Sequence, residues 1–137
     1  MLENQKVNIK IKLASLWASV TFCYLYGDYF ELYTPDKVNS LISGDNILDS
    51  PTTLLIASII LAIPSVMVAA SIFLKPKINR LLNILFGALF TIMMIFIGIA
   101  STNEWYLFYV VLAFLESSIT ALIVWNAWKW PKEKTIF

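Results

Sequence analysis

One carboxyl in this sequence stands where a carboxyl is expensive. Glu116 lies 12 positions after Glu104 and 13 before Lys129 in an otherwise apolar stretch, so about 18 to 20 Å of helix separates it from either end. That is the middle of a bilayer if the stretch spans one. An ionised acid there costs on the order of a few kcal/mol, so it must face the protein interior, be paired, or carry a proton. No Lys or Arg occupies comparable depth in any apolar stretch. Glu116 is left with hydroxyls, amides, water, a bound cation or its own proton. The chemistry this permits is proton or cation exchange; the plainer alternative is a neutral acid hydrogen-bonded for structural reasons.

Helical spacing selects what Glu116 can reach. Tyr109, Leu112, Ala113, Glu116 and Thr120 share one face, with Ser117 at its edge. The first apolar stretch offers Trp17, Thr21, Tyr24, Asp28 and Glu31. The third offers Asn83, Gly87, Thr91 and Gly98, and the second Ser58, Ala62, Ser65 and Ala69. Small and polar stripes of this kind invite close helix contact. The expected site is a narrow polar pocket of Glu116, Asp28, Tyr24, Thr120, Tyr109 and Thr91, opening outward past Asp28. The small residues are equally read as packing surface, Pro64 as a kink, and Cys23 as apolar filler.

These side chains need elements to hold them, and composition says which. Of 137 residues, 59% are hydrophobic and 14% charged, with a mean hydropathy of +0.75; soluble domains carry about 25% charge. Thr52 to Leu74 and Leu81 to Thr102 contain no Asp, Glu or Lys, and no Arg. Such runs read as transmembrane helices. Four spans are predicted, at about 13–33, 52–74, 78–101 and 105–128. The basic stretch before the first resembles a signal peptide, but no small-x-small site follows and Phe22 precedes the lone Cys23, so the span is expected to stay uncleaved.

The ends of the spans are punctuated. Ser50-Pro51 starts the second, Pro76 the third, and Asn103 the fourth, with Glu104 at its positive dipole end. Pro131 stops the fourth. Between spans one and two, Thr34-Pro35-Asp36 starts and Gly44 stops a short helix whose Val38, Leu41 and Ile42 share a face suited to the membrane surface. Short turns make spans two and three, and spans three and four, antiparallel neighbours.

Nine of the ten basic residues fall on one side of this arrangement: Lys6, Lys10 and Lys12; Lys75, Lys77 and Arg80; Lys129, Lys132 and Lys134. Only Lys37 falls on the other. The positive-inside rule puts both termini and the middle loop in the cytoplasm. The predicted fold class is therefore all-α: a single transmembrane domain, 1–137, forming an integral membrane four-helix bundle with a short interfacial helix between spans one and two.

Several activities lack their parts. The sequence has no His and one Cys, which removes His/Cys zinc sites, His-ligated haem, CxxC redox centres and Ser-His-Asp triads. The four glycines stand too far apart for a phosphate loop, and a net charge of +1 argues against nucleic acid. No cofactor, metal or enzymatic activity is expected. The expected partners are the lipid bilayer and either a second copy or a larger membrane complex.

Trp17, the run Tyr26-Gly27-Asp28-Tyr29-Phe30, Pro35, Ile63-Pro64, Asn79-Arg80-x-x-Asn83 and Trp125-Asn126-Ala127-Trp128-Lys129-Trp130 resemble a family of small bacterial four-span membrane proteins of unknown function, similar in architecture to DoxX-like proteins. The resemblance covers roughly Leu13 to Pro131. It implies a bundle in the bacterial cytoplasmic membrane and brings no activity with it. Where that family is expected to carry an acid before the proline of span two, this chain has Ile63. Two functions remain open: a proton- or cation-linked transport or ligand-binding bundle centred on Glu116, and a non-catalytic accessory or assembly subunit.

Overall fold

The computed structural model describes residues 2–3 and 5–132; Lys134 lies outside them. Five α-helices follow one another: α1 (Ile9–Glu31), α2 (Lys37–Ser43), α3 (Pro51–Phe73), α4 (Pro76–Ala100) and α5 (Leu107–Trp128). A single 3₁₀ turn, Glu104–Tyr106, leads into α5. There is no strand among the described residues.

The caps account for the boundaries. Ser50 accepts a hydrogen bond from the Thr53 amide ahead of Pro51, and Asn103 accepts from the Trp105 amide at 3.0 Å, both as the sequence predicts. Asn8 accepts from the Lys10 amide at 2.9 Å, which starts α1 at Ile9, earlier than residue 13. Glu104 sits in the 3₁₀ turn and not in the first turn of α5. Gly44 ends α2 at φ 78°. Asp36 precedes α2 at φ 60°, and the Lys37 amide bonds back to the Thr34 carbonyl. That closes a proline-led turn in which a short polar side chain tolerates the left-handed position.

Three helices, α3, α4 and the segment Glu104–Trp128, are long and apolar enough to cross a membrane. Only 17–22% of their most apolar stretches is buried inside the protein, so most of that surface faces outward. This corrects the expectation of four apolar spans. α1, with 23 residues, has the length, but Lys10, Lys12, Asp28 and Glu31 at its ends and Trp17, Tyr24, Tyr26 and Tyr29 between them dilute its hydropathy.

α1 packs on α3 and on α5, and α5 packs most closely on α4. The expected α3/α4 pairing holds only weakly. Their contact is sparse, and the hydrogen bonds between them, from Asn79 to the Ser71 carbonyl and from Ser71 to Asn83, lie beside the connecting turn. The Lys and Arg residues of 6–12, 75–80 and 129–132 gather at one end, the basic end, where they line shared surface grooves. Lys10 Nζ donates to the Ile72 and Leu74 carbonyls, at 3.1 and 2.8 Å, and so caps α3. Arg80 donates to the Ala127 and Trp128 carbonyls, at 3.2 and 3.3 Å, and caps α5. Helix C-termini attract cations in this way.

The core is concentrated in the half next to the basic end. Leu13, Trp17, Val20, Met67, Phe90, Ile123 and Ala127 form one buried cluster, with the Trp17 and Phe90 rings edge-on at 6.1 Å. At its level α4 and α5 approach closely at Gly87, where a Cβ would lie 2.8 Å from the Val124 Cγ2.

Candidate functional site

α5 turns Ala113, Glu116, Thr120, Ile123 and Ala127 inward, the face that helical spacing predicts. Glu116 is 4% exposed. Its carboxylate accepts no hydrogen bond from any described residue, while its backbone carbonyl accepts from Thr120 at 2.9 Å. It lies in the wall of a partly open cavity of about 250 Å³. Tyr24, Gly27 and Asp28 of α1 and Tyr109 and Leu112 of α5 complete that side of the wall. The Tyr24 hydroxyl is fully buried without a partner.

The opposite side is apolar. α3 contributes Ala57, Ile60 and Leu61, and α4 contributes Met93, Met94 and Ile97. The expected narrow polar pocket is thus an apolar cavity with four polar side chains, all from α1 and α5. The stripe Ser58, Ala62, Ser65 and Ala69 faces out, because α3 buries Pro64, Met67 and Ser71 instead. Pro64 has no amide proton to give, so the Ile60 carbonyl one turn back loses its helical donor. Ile60 is itself a wall residue.

The six candidate residues divide into two groups. Glu116, Asp28, Tyr24 and Tyr109 are brought together in the cavity. Thr91 and Thr120 are not in its wall. Their hydroxyls share a 2.7 Å hydrogen bond between α4 and α5, and each also reaches a carbonyl one turn back in its own helix, Gly87 at 2.7 Å and Glu116 at 2.9 Å. They bind the helices to each other below the cavity. Asp28 is exposed at the mouth. There the Tyr109 hydroxyl lies 3.4 Å from both Asp28 Oδ1 and Glu31 Oε2, and Glu31 pairs with Lys37 at 2.7 Å.

A second polar cluster sits at the opposite end of the core. Trp17 Nε1 donates to Asn83 Oδ1 at 2.7 Å. Asn83 Nδ2 reaches the Asn79 carbonyl and side-chain oxygens, at 2.9 and 2.7 Å, and Asn79 Nδ2 donates to the Ser71 carbonyl at 2.6 Å. Ser71, Asn79 and Asn83 are fully buried. Sequence spacing places Asn83 on the inner face but gives no sign that Ser71 and Asn79 join it. The signal available is two Asn one turn apart beside a tight turn, which can bond each other and a neighbouring helix.

Among the described residues no group of His, Cys, Asp and Glu could hold a metal ion. The chain matches a sequence family described as a family of unknown function (DUF6326) over residues 2–136. No curated protein and no solved structure matches it.

Proposed function

The chain belongs to that family of unknown function, and from the site itself we propose a small membrane bundle that exchanges a proton or cation at Glu116 and couples this to binding or moving a small molecule. The observation that carries the reading is the buried, unpartnered Glu116 carboxylate in the wall of a cavity. A structural acid in hydrocarbon is expected to find a donor; this one has space beside it. We take α1 as a fourth span, since 23 helical residues reach about 34 Å and the helix lies between α3 and α5. The architecture is then a DoxX-like four-helix bundle of the bacterial cytoplasmic membrane, termini inside, with α2 at the outer surface presenting Val38, Leu41 and Ile42.

The titratable groups near Glu116 are Cys23, Tyr24 and Asp28 of α1 and Tyr109 of its own helix; the cavity residues of α3 and α4 include no titratable group. The test is proton release from proteoliposomes after a pH jump. Wild type is expected to release a proton that Glu116→Gln does not, with unchanged helicity, and Asp28→Asn to have a weaker effect because Asp28 meets water. Identical release from wild type and Glu116→Gln overturns the reading.

One observation favours a second reading. The outward stripe Ser58, Ala62, Ser65 and Ala69 is small-residue surface with nothing packed on it, which suits an accessory subunit docking on another helix. Bulky substitutions there that dissociate a larger complex in mild detergent would support it.

A further inference from the structure

We propose that the cavity takes a small amine with an apolar body from the membrane itself, through the seam between α3 and α4, and holds its nitrogen at Glu116. This deepens the exchange reading above and rests on it.

The shape of the wall specifies the class. Seven apolar residues (Ala57, Ile60, Leu61, Met93, Met94, Ile97 and Leu112) surround most of the space, which favours a hydrocarbon body. At about 250 Å³ the cavity falls below the usual range for drug-sized ligands, so the body is small, of the order of one aromatic ring. Within that wall the Glu116 carboxylate has no partner, while the Tyr24 hydroxyl is buried behind the surface without one. A carboxylate accepts from an ammonium. An anionic ligand would meet Glu116 and Asp28 with no cation to offset them, since no Lys or Arg lines the cavity.

The route follows from packing. Around the bundle, α1 rests on α3 and on α5, and α5 on α4; the α3/α4 edge alone is loosely closed. Its two banks are Ala57, Ile60 and Leu61 of α3 and Met93, Met94 and Ile97 of α4, and Ile60 and Leu61 remain exposed. The polar mouth at Asp28 is crossed by the Tyr109 hydroxyl, which reaches the acids of α1. An amine dissolved in the bilayer travels as the free base. On reaching Glu116 the carboxylic O–H breaks and an N–H bond forms, leaving an ammonium–carboxylate pair; no other reactant is needed. The two new charges are mutually compensated, which is the condition for charge in a low-dielectric site.

The experiment uses the full chain in lipid nanodiscs with two probes of one shape: N,N-dimethylbenzylamine and its uncharged isostere isobutylbenzene. Calorimetric titration is expected to give saturable amine binding that weakens roughly thirtyfold or more in Glu116→Gln, the scale for removing one partner of a buried charge pair. Isobutylbenzene binding should be unchanged by that substitution. Equal binding of both probes to wild type, or amine binding that survives Glu116→Gln, overturns the ligand class. For the route, a nitroxide at position 61 or 97 in a Cys23→Ser background should be relaxed by oxygen, which concentrates in lipid, and protected from a water-soluble nickel chelate. Preferential relaxation by the chelate overturns access through the seam. If wild type releases its Glu116 proton yet binds no amine, the ligand class fails and the exchange reading stands; if no such proton is released, the parent reading has failed.

Discussion

The indole nitrogen of Trp17 donates to the side-chain oxygen of Asn83 at 2.7 Å, joining α1 to α4, two helices whose backbones stay apart and which meet through Trp17 and Tyr24 against Phe90. From Asn83 the connection continues through Asn79 to the Ser71 carbonyl. Three helices are thereby tied on one buried chain. Trp17→Phe keeps the ring packed on Phe90 and removes only the donor. The expected loss is about 1–2 kcal/mol of stability in detergent, read as a lower thermal midpoint. A silent Trp17→Phe would show that Ser71, 3.4 Å from the same oxygen, suffices.

Gly87 marks a close approach of α4 to α5. Gly87→Ala puts a methyl 2.8 Å from Val124 Cγ2, and forced repacking of this kind costs about 1–3 kcal/mol. Val124→Ala should restore part of the loss, because it removes the contacted methyl. Ala62→Leu, on the outward face of α3, should be tolerated. Thermal denaturation of the three variants and the Gly87/Val124 double variant checks this.

The cations at the basic end do more than mark a side. Lys10→Met and Arg80→Met should each destabilise by about 0.5–2 kcal/mol, through carbonyls left uncapped at the ends of α3 and α5. The loss should shrink in high salt for Lys10, whose ammonium is partly exposed. Denaturation at two ionic strengths measures both effects.

Glu116 should be a liability to folding. Glu116→Leu removes an unpartnered carboxyl from an apolar cavity and is expected to raise stability by about 1 kcal/mol or more. A lower thermal midpoint for Glu116→Leu would make the carboxyl a structural element.

Topology gives a direct check on the orientation proposed for the bundle. A cysteine at position 45 should be labelled by an impermeant reagent from outside intact cells, and one at position 77 only after permeabilisation. The reverse pattern would invert the bundle.

How far the sequence carried depends on where polar contrast exists. Ser50-Pro51, Asn103 and Gly44 announce their helix ends because capping needs those residue types. The inner face of α5 is legible because Glu116 and Thr120 are too costly to turn toward lipid. α3 offers no such contrast. Lipid and protein interior are equally apolar, so its inward Ala57, Pro64 and Met67 and its outward Ala62 and Ser65 look alike to any periodicity. The loose α3/α4 edge is invisible for the same reason, and a short connecting turn suggests the opposite. The capping by Lys10 and Arg80 spans more than 45 positions of sequence and leaves no local trace.

Those two caps have a mechanical consequence. Lys10 staples α1 to α3, and Arg80 staples α4 to α5, so the molecule consists of two leaves bound along a spine of α1 and α5. The Leu74–Pro76 turn clasps their free edges at one corner only. The basic end is therefore the part of the molecule most firmly tied, and the far ends of α3 and α4 are held to their own leaves but barely to each other. Over about 30 Å of helix, a swing of about 5° moves those ends by roughly 2.5 Å, enough to separate a pair of touching side chains without breaking a single cap.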